Sequence, residues 1–212
     1  MLRHAAPAMP RSLPRPDNRL FLGAGGSGKT TEALRQAADY PRVLFVQPDD
    51  SEKSPFPPTR DRAELIRRMC QPCFRTAFIV DLQLDEMEWA NEAAWHAGEV
   101  VVIWEEAGTV LPNAGLKLRA PWAFSLWMRG RHKRCRIFAC SQRPASVAAD
   151  LRANVARAVI FNVTEPDDLD WSRRVVGGGR ETADQIAALK LGDYEALDWQ
   201  RGAGFTIKKL AR

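Results

Sequence analysis

An eight-residue glycine-rich segment constrains this chain more than any other feature of its sequence. Residues 23–30 read Gly-Ala-Gly-Gly-Ser-Gly-Lys-Thr, which fills every fixed position of the pattern G-x-x-x-x-G-K-[ST]. Glycines let backbone N–H groups turn inward around an anion, where a Cβ would clash. The sequence also predicts a strand at 18–23 and a helix at 29–38, so bound phosphates would lie at a helix N-terminus. The segment therefore predicts a nucleoside triphosphate site.

The same pattern predicts roles for individual side chains. Lys29 is expected to reach the β- and γ-phosphates, and the Thr30 hydroxyl to hold Mg²⁺. ATP is the expected substrate and Mg²⁺ the expected cofactor. The expected nucleotide-binding residues are Gly23, Ala24, Gly25, Gly26, Ser27, Gly28, Lys29, Thr30 and Thr31.

Strand and helix patterns alternate along the 212 residues, a length that suits one domain. Short apolar runs predict further strands at 42–47, 76–81, 99–104, 136–141 and 156–162. Helical patterns are found at 60–69, 85–97, 121–128, 146–153 and 165–174. Alternation of this kind predicts an α/β fold with a mostly parallel central sheet flanked by helices. Together with the phosphate-binding segment, this pattern resembles the RecA-like P-loop NTPases.

The domain organisation predicted from composition is simple. We expect residues 1–17 to form a flexible basic arm rich in proline, and residues 18–212 to form a single domain that ends in a hairpin at 192–209. The arm lacks the apolar core of a secretory signal, and the chain has no run of eighteen apolar residues that could span a membrane.

The four cysteines carry little functional signal. Cys70 and Cys73 form a lone C-x-x-C pair without a second ligand pair, a weak indication of a zinc or redox site. Cys135 and Cys140 lie in an apolar strand pattern and are expected in the core. Free thiols of this kind fit a reducing cytoplasm.

Two adjacent acids follow the most apolar strand of the chain. Glu105 and Glu106 end the run Val-Val-Val-Ile-Trp, which is the Walker B pattern. Because successive strand residues point apart, the two carboxylates need not share one task. We expect Glu105 to steady the Mg²⁺ shell, through water if its extra methylene displaces it, and Glu106 to polarise the attacking water as general base.

The next strand ends in a neutral amide. Gln142 closes the segment Arg-Ile-Phe-Ala-Cys-Ser-Gln, and its side chain can both donate to and accept from a γ-phosphate and a water molecule. Its place after the two acids favours a phosphate-sensing role.

A long stretch free of acidic residues separates Glu106 from Asp150. Such a block indicates contact with phosphates, of nucleotide or of nucleic acid, although a solvated basic face would look the same. Its cations are Lys117, Arg119, Arg129, Arg131, Lys133, Arg134, Arg136 and Arg143.

With these residues in place, the chain resembles the FtsK–HerA superfamily of DNA-translocating ATPases over residues 18–177. The likeness is most specific at 128–144, where a Gly-Arg turn leads into a strand closing with Ser-Gln-Arg-Pro. The resemblance implies a hexameric ring and an arginine supplied in trans, for which Arg131 matches the superfamily position. The residues themselves do not choose among Arg129, Arg131 and Arg134.

Within that superfamily, the compact chain looks most like the genome-packaging ATPases of viruses with an internal membrane. The resemblance then implies double-stranded DNA as partner, capsid or virion vertex proteins as further partners, and action in the host cytoplasm or at the packaging vertex. Lys117 and Arg119, on a glycine-containing loop after Glu106, are the candidate DNA contacts, with an ordinary surface loop as the alternative. Departures from the superfamily pattern are Glu105 in place of Asp and a shortened region between the two Walker motifs.

Three other functions stay open at this stage. One is an assembly ATPase of filamentous phages, similar to zonula occludens toxin, although those usually carry a membrane anchor. Another is a P-loop kinase acting on a small molecule, against which Glu106 and Gln142 argue. The last is a nucleotide-dependent scaffold without directional DNA movement.

Overall fold

The computed structural model describes residues 17–50, 54–152, 154–190 and 194–210. Most of its strands are short apolar runs, buried along nearly their whole length. The strands are β1 (Asn18–Leu22), β2 (Arg42–Gln47), β3 (Pro58–Thr59), β4 (Phe74–Ile79), β5 (Val101–Trp104), β6 (Arg136–Ser141), β7 (Val155–Ile160), β8 (Glu195–Gln200) and β9 (Gly204–Lys209).

Within the described residues these strands form one sheet in the order β3-β4-β2-β5-β6-β1-β7-β8-β9. The first seven strands of that order run parallel, and β8 and β9 are antiparallel to their neighbours. Because β5, β6 and β1 are adjacent and parallel, the segments that follow them meet at one edge of the sheet, which we call the carboxyl edge.

Helices cover both faces of this sheet. They are α1 (Lys29–Gln36), α2 (Arg62–Met69), α3 (Leu84–Ala97), α4 (Ala107–Val110), α5 (Leu116–Arg119), α6 (Pro121–Arg129), α7 (Pro166–Val175) and α8 (Arg180–Ala187). Ala33 of α1 and Ala37, which caps its C-terminal end, pack with one set of strand residues, while α2, α3, α6 and α7 pack with the alternate set. The predicted α/β fold with a mostly parallel sheet is therefore confirmed.

Strand β1 is locked to its neighbours by a buried amide. The Asn18 side chain donates to the Trp127 carbonyl at 2.6 Å and accepts from the Ile137 N–H at 3.2 Å. A buried amide needs such partners because its desolvation is otherwise uncompensated. These bonds fix β1, and the glycine-rich segment that follows it, against β6 and α6.

The segment at 146–153 differs from the predicted helix. Two 3₁₀ turns, Pro144–Ser146 and Ala149–Arg152, take its place. Side chains satisfy the backbone there, because the Ala145 N–H donates to Asp168 and the Ser146 hydroxyl donates to the Arg143 carbonyl. Local side-chain bonds of this kind compete with a helical ladder.

The ends of the chain fall partly outside the described residues. Of the predicted N-terminal arm, residues 1–16 lie outside them, and Asp17 pairs with Arg19 at 2.8 Å. Strands β8 and β9 form an antiparallel hairpin beside β7. None of the helices in the described residues combines the length and the hydropathy needed to cross a bilayer.

Candidate nucleotide site

The glycine-rich segment forms the loop between β1 and α1. The Gly23 N–H donates to the Ser141 carbonyl and the Ala24 N–H to the Asn162 carbonyl, both at 3.2 Å, which ties the loop to the ends of β6 and β7. Gly28 is the N-cap of α1 at φ +97°, and a Cβ on it would lie 3.0 Å from the Tyr194 ring. Both the dihedral and the space therefore require glycine at this position.

Lys29 is held across this loop rather than in solvent. It is only 5% exposed, and its Nζ donates to the Ala24 carbonyl at 3.0 Å. The same Nζ lies 3.8 Å from the Glu106 carboxylate. Burying an ammonium group costs free energy unless an anion or a polar group pairs with it. At this position the Lys29 ammonium can therefore bind an anionic group in the loop.

Thr30 and Glu105 meet beside the loop. The Thr30 hydroxyl donates to Glu105 Oε1 at 2.8 Å, and the Glu105 N–H donates to the Val46 carbonyl, which continues the pairing of β5 with β2. A hydroxyl and a carboxylate oxygen this close are the hard donors that Mg²⁺ prefers. The residues present thus fit the expected cation, and the longer glutamate side chain brings Glu105 within direct reach of Thr30.

Glu106 has the unusual backbone that separates it from Glu105. Its φ is +46°, in the left-handed region, where it caps the short helix α4. A non-glycine residue there costs of order 1 kcal/mol or more and is maintained only by its surroundings. Glu106 Oε2 accepts from the Gln142 N–H at 2.9 Å. The turn thus places Glu105 on Thr30 and Glu106 between Lys29 and Gln142.

Gln142 follows β6 and lies against the loop. Its side-chain Oε1 would be 3.2 Å from a Cβ at Gly25, so the amide is in near contact with the loop backbone. A cavity of about 270 Å³ opens beside it, lined by Thr30, Thr31, Gln47, Glu105, Glu106 and Gln142 among others. The predicted nucleotide, metal and phosphate-sensing residues therefore converge at the carboxyl edge.

The three candidate arginines have different surroundings. Arg129 donates to the Ser125 hydroxyl at 2.9 Å and lies over the Trp95 ring, and Arg134 pairs with Glu99 at 3.0 Å. Arg131 is exposed, and its side chain makes no hydrogen bond or ion pair within the described residues.

The position of Arg131 also separates it from the phosphate loop of its own chain. It precedes β6, whereas Gln142 follows it, and the six residues of β6 span about 20 Å. Arg131 therefore lies at the edge of the sheet opposite the nucleotide site.

The short helix α5 carries the candidate DNA contacts. Leu116 is fully buried and anchors it, and Gly115 begins it at φ +67°. Lys117 and Arg119 are exposed and form no side-chain hydrogen bond or ion pair with other described residues. The anchored leucine fixes the two cations at the surface.

Two residues of the site were missed by reasoning from sequence. Asp168 on α7 bonds the segment after Gln142, and Tyr194 covers Gly28. Asp168 had a weak signal, an acid in the first turn of a helix after a buried strand. Tyr194 had none, because only the folded hairpin brings it to the loop.

The cysteines divide as expected into two pairs. Cys135 and Cys140 are buried, while Cys70 and Cys73 are exposed free thiols. Burial raises the pKa of the Cys140 thiol well above its ordinary value, and the nearby Glu105 carboxylate raises it further. Among the described residues no group of three or more His, Cys, Asp or Glu side chains could hold a metal ion.

Comparisons with known proteins rest on structure alone. No protein-family model matches the chain, and no curated protein matches it either. The genome packaging NTPase B204 of Sulfolobus turreted icosahedral virus 2, in complex with AMPPCP, matches with a TM-score of 0.76 and 17% identity, over 93% of this chain and 99% of that one. This chain has a P-loop NTPase fold.

Two further matches have the same fold at lower similarity. VirB4 of Thermoanaerobacter pseudethanolicus gives a TM-score of 0.62 at 11% identity, over 92% of this chain and 89% of that one. The N-terminal domain of zonular occludens toxin from Neisseria meningitidis gives 0.51 at 17% identity, over 94% and 96%. These likenesses fit the resemblance to the FtsK–HerA ATPases found in the sequence.

Proposed function

We propose that this protein is an ATP-hydrolysing DNA translocase that packages a viral genome as a ring of subunits. The observation that carries the proposal is the convergence of Lys29, Glu106 and Gln142 on the phosphate loop. A cation, a general base and a neutral amide at one edge of the sheet are the parts that hydrolysis of a phosphoanhydride requires. The fold shared with a genome packaging NTPase supports the biological role.

The loop binds the triphosphate. Its backbone N–H groups cradle the phosphate oxygens at the N-terminus of α1, and Lys29 exchanges its contact with Glu106 for the β- and γ-phosphates. Thr30 and Glu105 would hold Mg²⁺, which would neutralise negative charge on the triphosphate. The wider nucleotide contact set is the whole segment 23–31.

Hydrolysis proceeds by attack of a water molecule on the γ-phosphorus, which breaks its bond to the oxygen bridging to the β-phosphate and releases ADP and inorganic phosphate. Glu106 accepts the proton of that water as general base, and its strained backbone turns the carboxylate away from Glu105 and toward the loop. Gln142 donates to the γ-phosphate and accepts from the water, so it reads whether the γ-phosphate is present.

Arg131 completes the site of a neighbouring subunit. Its exposure and its distance from its own loop suit action in trans, and a guanidinium there stabilises charge developing on the transferred phosphoryl group. The paired environments of Arg129 and Arg134 make them poorer candidates. An oligomer with shared sites follows from this assignment, and the resemblance to the FtsK–HerA ATPases implies that it has six subunits.

Lys117 and Arg119 contact the DNA backbone in the ring. Contacts from cations to phosphates carry no sequence information, which suits a motor that must move any sequence. We also propose that residues 18–212 act as one ATPase domain. The proposed site of action is the packaging vertex of the virion, together with its capsid proteins.

The first experiment measures ATP turnover with and without duplex DNA, together with the native mass of the protein. We expect DNA to stimulate turnover and the mass to correspond to six subunits. Turnover that requires a nucleoside or sugar acceptor would instead establish the small-molecule kinase. Slow turnover insensitive to DNA would favour an assembly ATPase of the zonular occludens toxin type or a scaffold.

A second experiment tests the DNA contacts. Replacing both Lys117 and Arg119 by alanine should lower DNA affinity uniformly across sequences and reduce the slope of log affinity against log salt by about two. The control replaces Arg67 and Arg174, which are exposed but paired with acids on their own helices. An equal loss in both double variants would remove the DNA contacts from the proposal.

A third experiment tests the shared site by mixing subunits. Arg131→Ala and Lys29→Ala proteins should each be inactive alone. If Arg131 acts in trans, mixed rings contain interfaces with an intact loop on one side and an intact Arg131 on the other, and activity should return in part. No recovery in rings proven to be mixed would place Arg131 outside the catalytic interface.

A further inference from the structure

The carboxylate of Asp168 is buried against the segment that carries Gln142. Asp168 lies in the first turn of α7 and is only 2% exposed. Burying a carboxylate costs free energy unless strong hydrogen bonds replace its water. The hydrogen bonds of the Asp168 carboxylate must therefore compensate for the loss of its water.

Asp168 bonds the turn that follows β6 at two points, and we call this pair of hydrogen bonds the clasp. Asp168 Oδ2 accepts from Arg143 Nε at 2.8 Å, and Oδ1 accepts from the Ala145 N–H at 2.8 Å. One carboxylate therefore bonds the residues on both sides of Pro144. Hydrogen bonds to an ionised acceptor are roughly twice as strong as neutral ones.

The backbone of Arg143 is held as firmly as its side chain. Its carbonyl accepts from the Ser141 hydroxyl at 3.1 Å and from the Ser146 hydroxyl at 2.7 Å. Upstream, the Gln142 N–H is bonded to Glu106 at 2.9 Å. Gln142 is thus fixed between Glu106 on one side and the clasp on the other.

This clasp matters because the turn has little regular structure of its own. It continues into a 3₁₀ turn of three residues, Pro144–Ser146, rather than a helix. Gln142 itself is exposed, and its side chain approaches the loop at Gly25. Packing alone therefore does not hold the amide in position, and misplacement by about 1 Å is enough to lower a catalytic rate about a hundredfold.

We infer that Asp168 is a positioning residue that acts through Arg143 and the Ala145 N–H to hold Gln142 over the phosphate loop. The inference rests on the phosphate-sensing function proposed for Gln142. It connects α7 to the nucleotide site by a two-sided hydrogen-bonded contact.

The test is a double-mutant cycle measured as kcat and KM for ATP. Gln142→Ala should lower kcat about a hundredfold, the loss typical of one missing donor to the reacting group. Asp168→Asn keeps an oxygen that can accept from the Ala145 N–H but loses the charge, so kcat should fall about tenfold with KM changed less than about threefold. In the double variant the loss should equal that of Gln142→Ala alone, because a residue that acts through Gln142 has no effect once the amide is absent.

The matched control is Asp198→Asn. Asp198 is also a buried carboxylate paired with an arginine, accepting from Arg157 Nε at 2.7 Å, but it is a residue of β8 and its arginine partner is a residue of β7. We expect it to lower the melting temperature as Asp168→Asn does, yet to leave kcat within about twofold and to combine with Gln142→Ala multiplicatively. This comparison separates positioning of the amide from general loss of stability.

A second variant tests the same contact in case Asp168→Asn does not fold. Arg143→Lys keeps the positive charge but cannot reproduce the guanidinium geometry, and kcat should fall about threefold with KM unchanged. If Gln142→Ala lowers kcat while neither partner variant does, or if the losses multiply, the positioning role of Asp168 is wrong. If Gln142→Ala leaves kcat unchanged, the function proposed for Gln142 itself is wrong, and the inference fails with it.

Discussion

Glu106→Gln is the substitution that separates nucleotide binding from hydrolysis in this site. The amide is almost isosteric and keeps an oxygen that can accept from the Gln142 N–H, now bonded to Glu106 Oε2 at 2.9 Å. The fold and the Gln142 turn should therefore survive. What disappears is the proton acceptor for the attacking water and the negative charge 3.8 Å from Lys29 Nζ.

The size of both effects follows from that geometry. Loss of a general base lowers kcat by about 10²- to 10⁴-fold. The charge pair between Lys29 and Glu106 has a Coulomb energy of about 4 kcal/mol at an effective dielectric constant of about 20, reduced by the cost of desolvating both groups. In Glu106→Gln this ion pair is absent, so Lys29 can bind phosphate without first breaking its contact with a carboxylate. ATP affinity should therefore stay equal or rise by about tenfold, which is about 1.4 kcal/mol.

Phosphate release in single turnover measures hydrolysis, and equilibrium titration with a fluorescent ATP analogue measures binding. Glu105→Gln is the matched control: it weakens the contact with Thr30, so its activity should be restored in part by higher Mg²⁺. Hydrolysis by Glu106→Gln within tenfold of the unsubstituted protein would refute the assignment of the base. Rescue of that variant by Mg²⁺ would show that the two acids have the reverse roles.

Three further predictions concern the loop, a helix end and the thiols. In thermal melts, Gly28→Ala should destabilise the fold by about 1–2 kcal/mol, because φ is +97° and Tyr194 is close, and it should also weaken ATP binding. The control is Gly202→Ala, at φ +81° in open space, which should show only the dihedral cost of about 1 kcal/mol. Asp61→Ala removes the N-cap acceptor of α2 and should lower the free energy of unfolding in denaturant by about 1 kcal/mol, with no change in turnover. A clear loss of turnover in this variant would contradict the prediction. Native protein at pH 8 should expose two thiols to a chromogenic reagent and four after denaturation. Burial shields Cys135 and Cys140 from the reagent, and the raised pKa of the Cys140 thiol keeps it protonated at a pH where an ordinary thiol is partly ionised. Four fast thiols would contradict the burial of Cys135 and Cys140.

Strands β1, β2 and β4–β7 were predictable because they are short apolar runs that are mostly buried, whereas β3 is a partly exposed two-residue strand that no such run predicts. Strands at 42–47 and 136–141 are found with the predicted bounds, and the others differ by one or two residues at their ends. The segment at 146–153 was not predictable in this way. Its apolar spacing is helical, but Asp168, some twenty residues later in the chain, takes up the Ala145 N–H and favours a turn.

The nucleotide site was predictable to the extent that its residues follow strands. Residues after β1, β5 and β6 must meet, since these strands are parallel neighbours. The sequence did not predict that Glu106 lies in the left-handed region or that Lys29 contacts it. Both depend on how the loop after β5 turns, and no local residue pattern encodes that turn.

The basic charge of the acid-free block between Glu106 and Asp150 could not be judged from the sequence either. Five of its eight cations find partners elsewhere in the fold: Arg129 and Lys133 lie over the Trp95 ring, Arg134 pairs with Glu99, Arg136 pairs with Asp17, and Arg143 pairs with Asp168. A count along the chain therefore overstates the basic surface, because three of these cations are neutralised by acids from distant segments.

The remaining cations are Lys117, Arg119 and Arg131, none of which has a hydrogen bond or ion pair from its side chain within the described residues. Holding long cationic side chains exposed and unpaired contributes nothing to folding, since even a paired surface cation contributes at most about 1 kcal/mol. Lys117 and Arg119 lie together on one anchored turn, whereas Arg131 lies beyond the opposite end of β6 from the nucleotide loop. The proposed function gives these two positions separate anionic partners. A polyanion beside α5 and the nucleotide of a second subunit beside Arg131 are the pair that a ring-shaped translocase supplies.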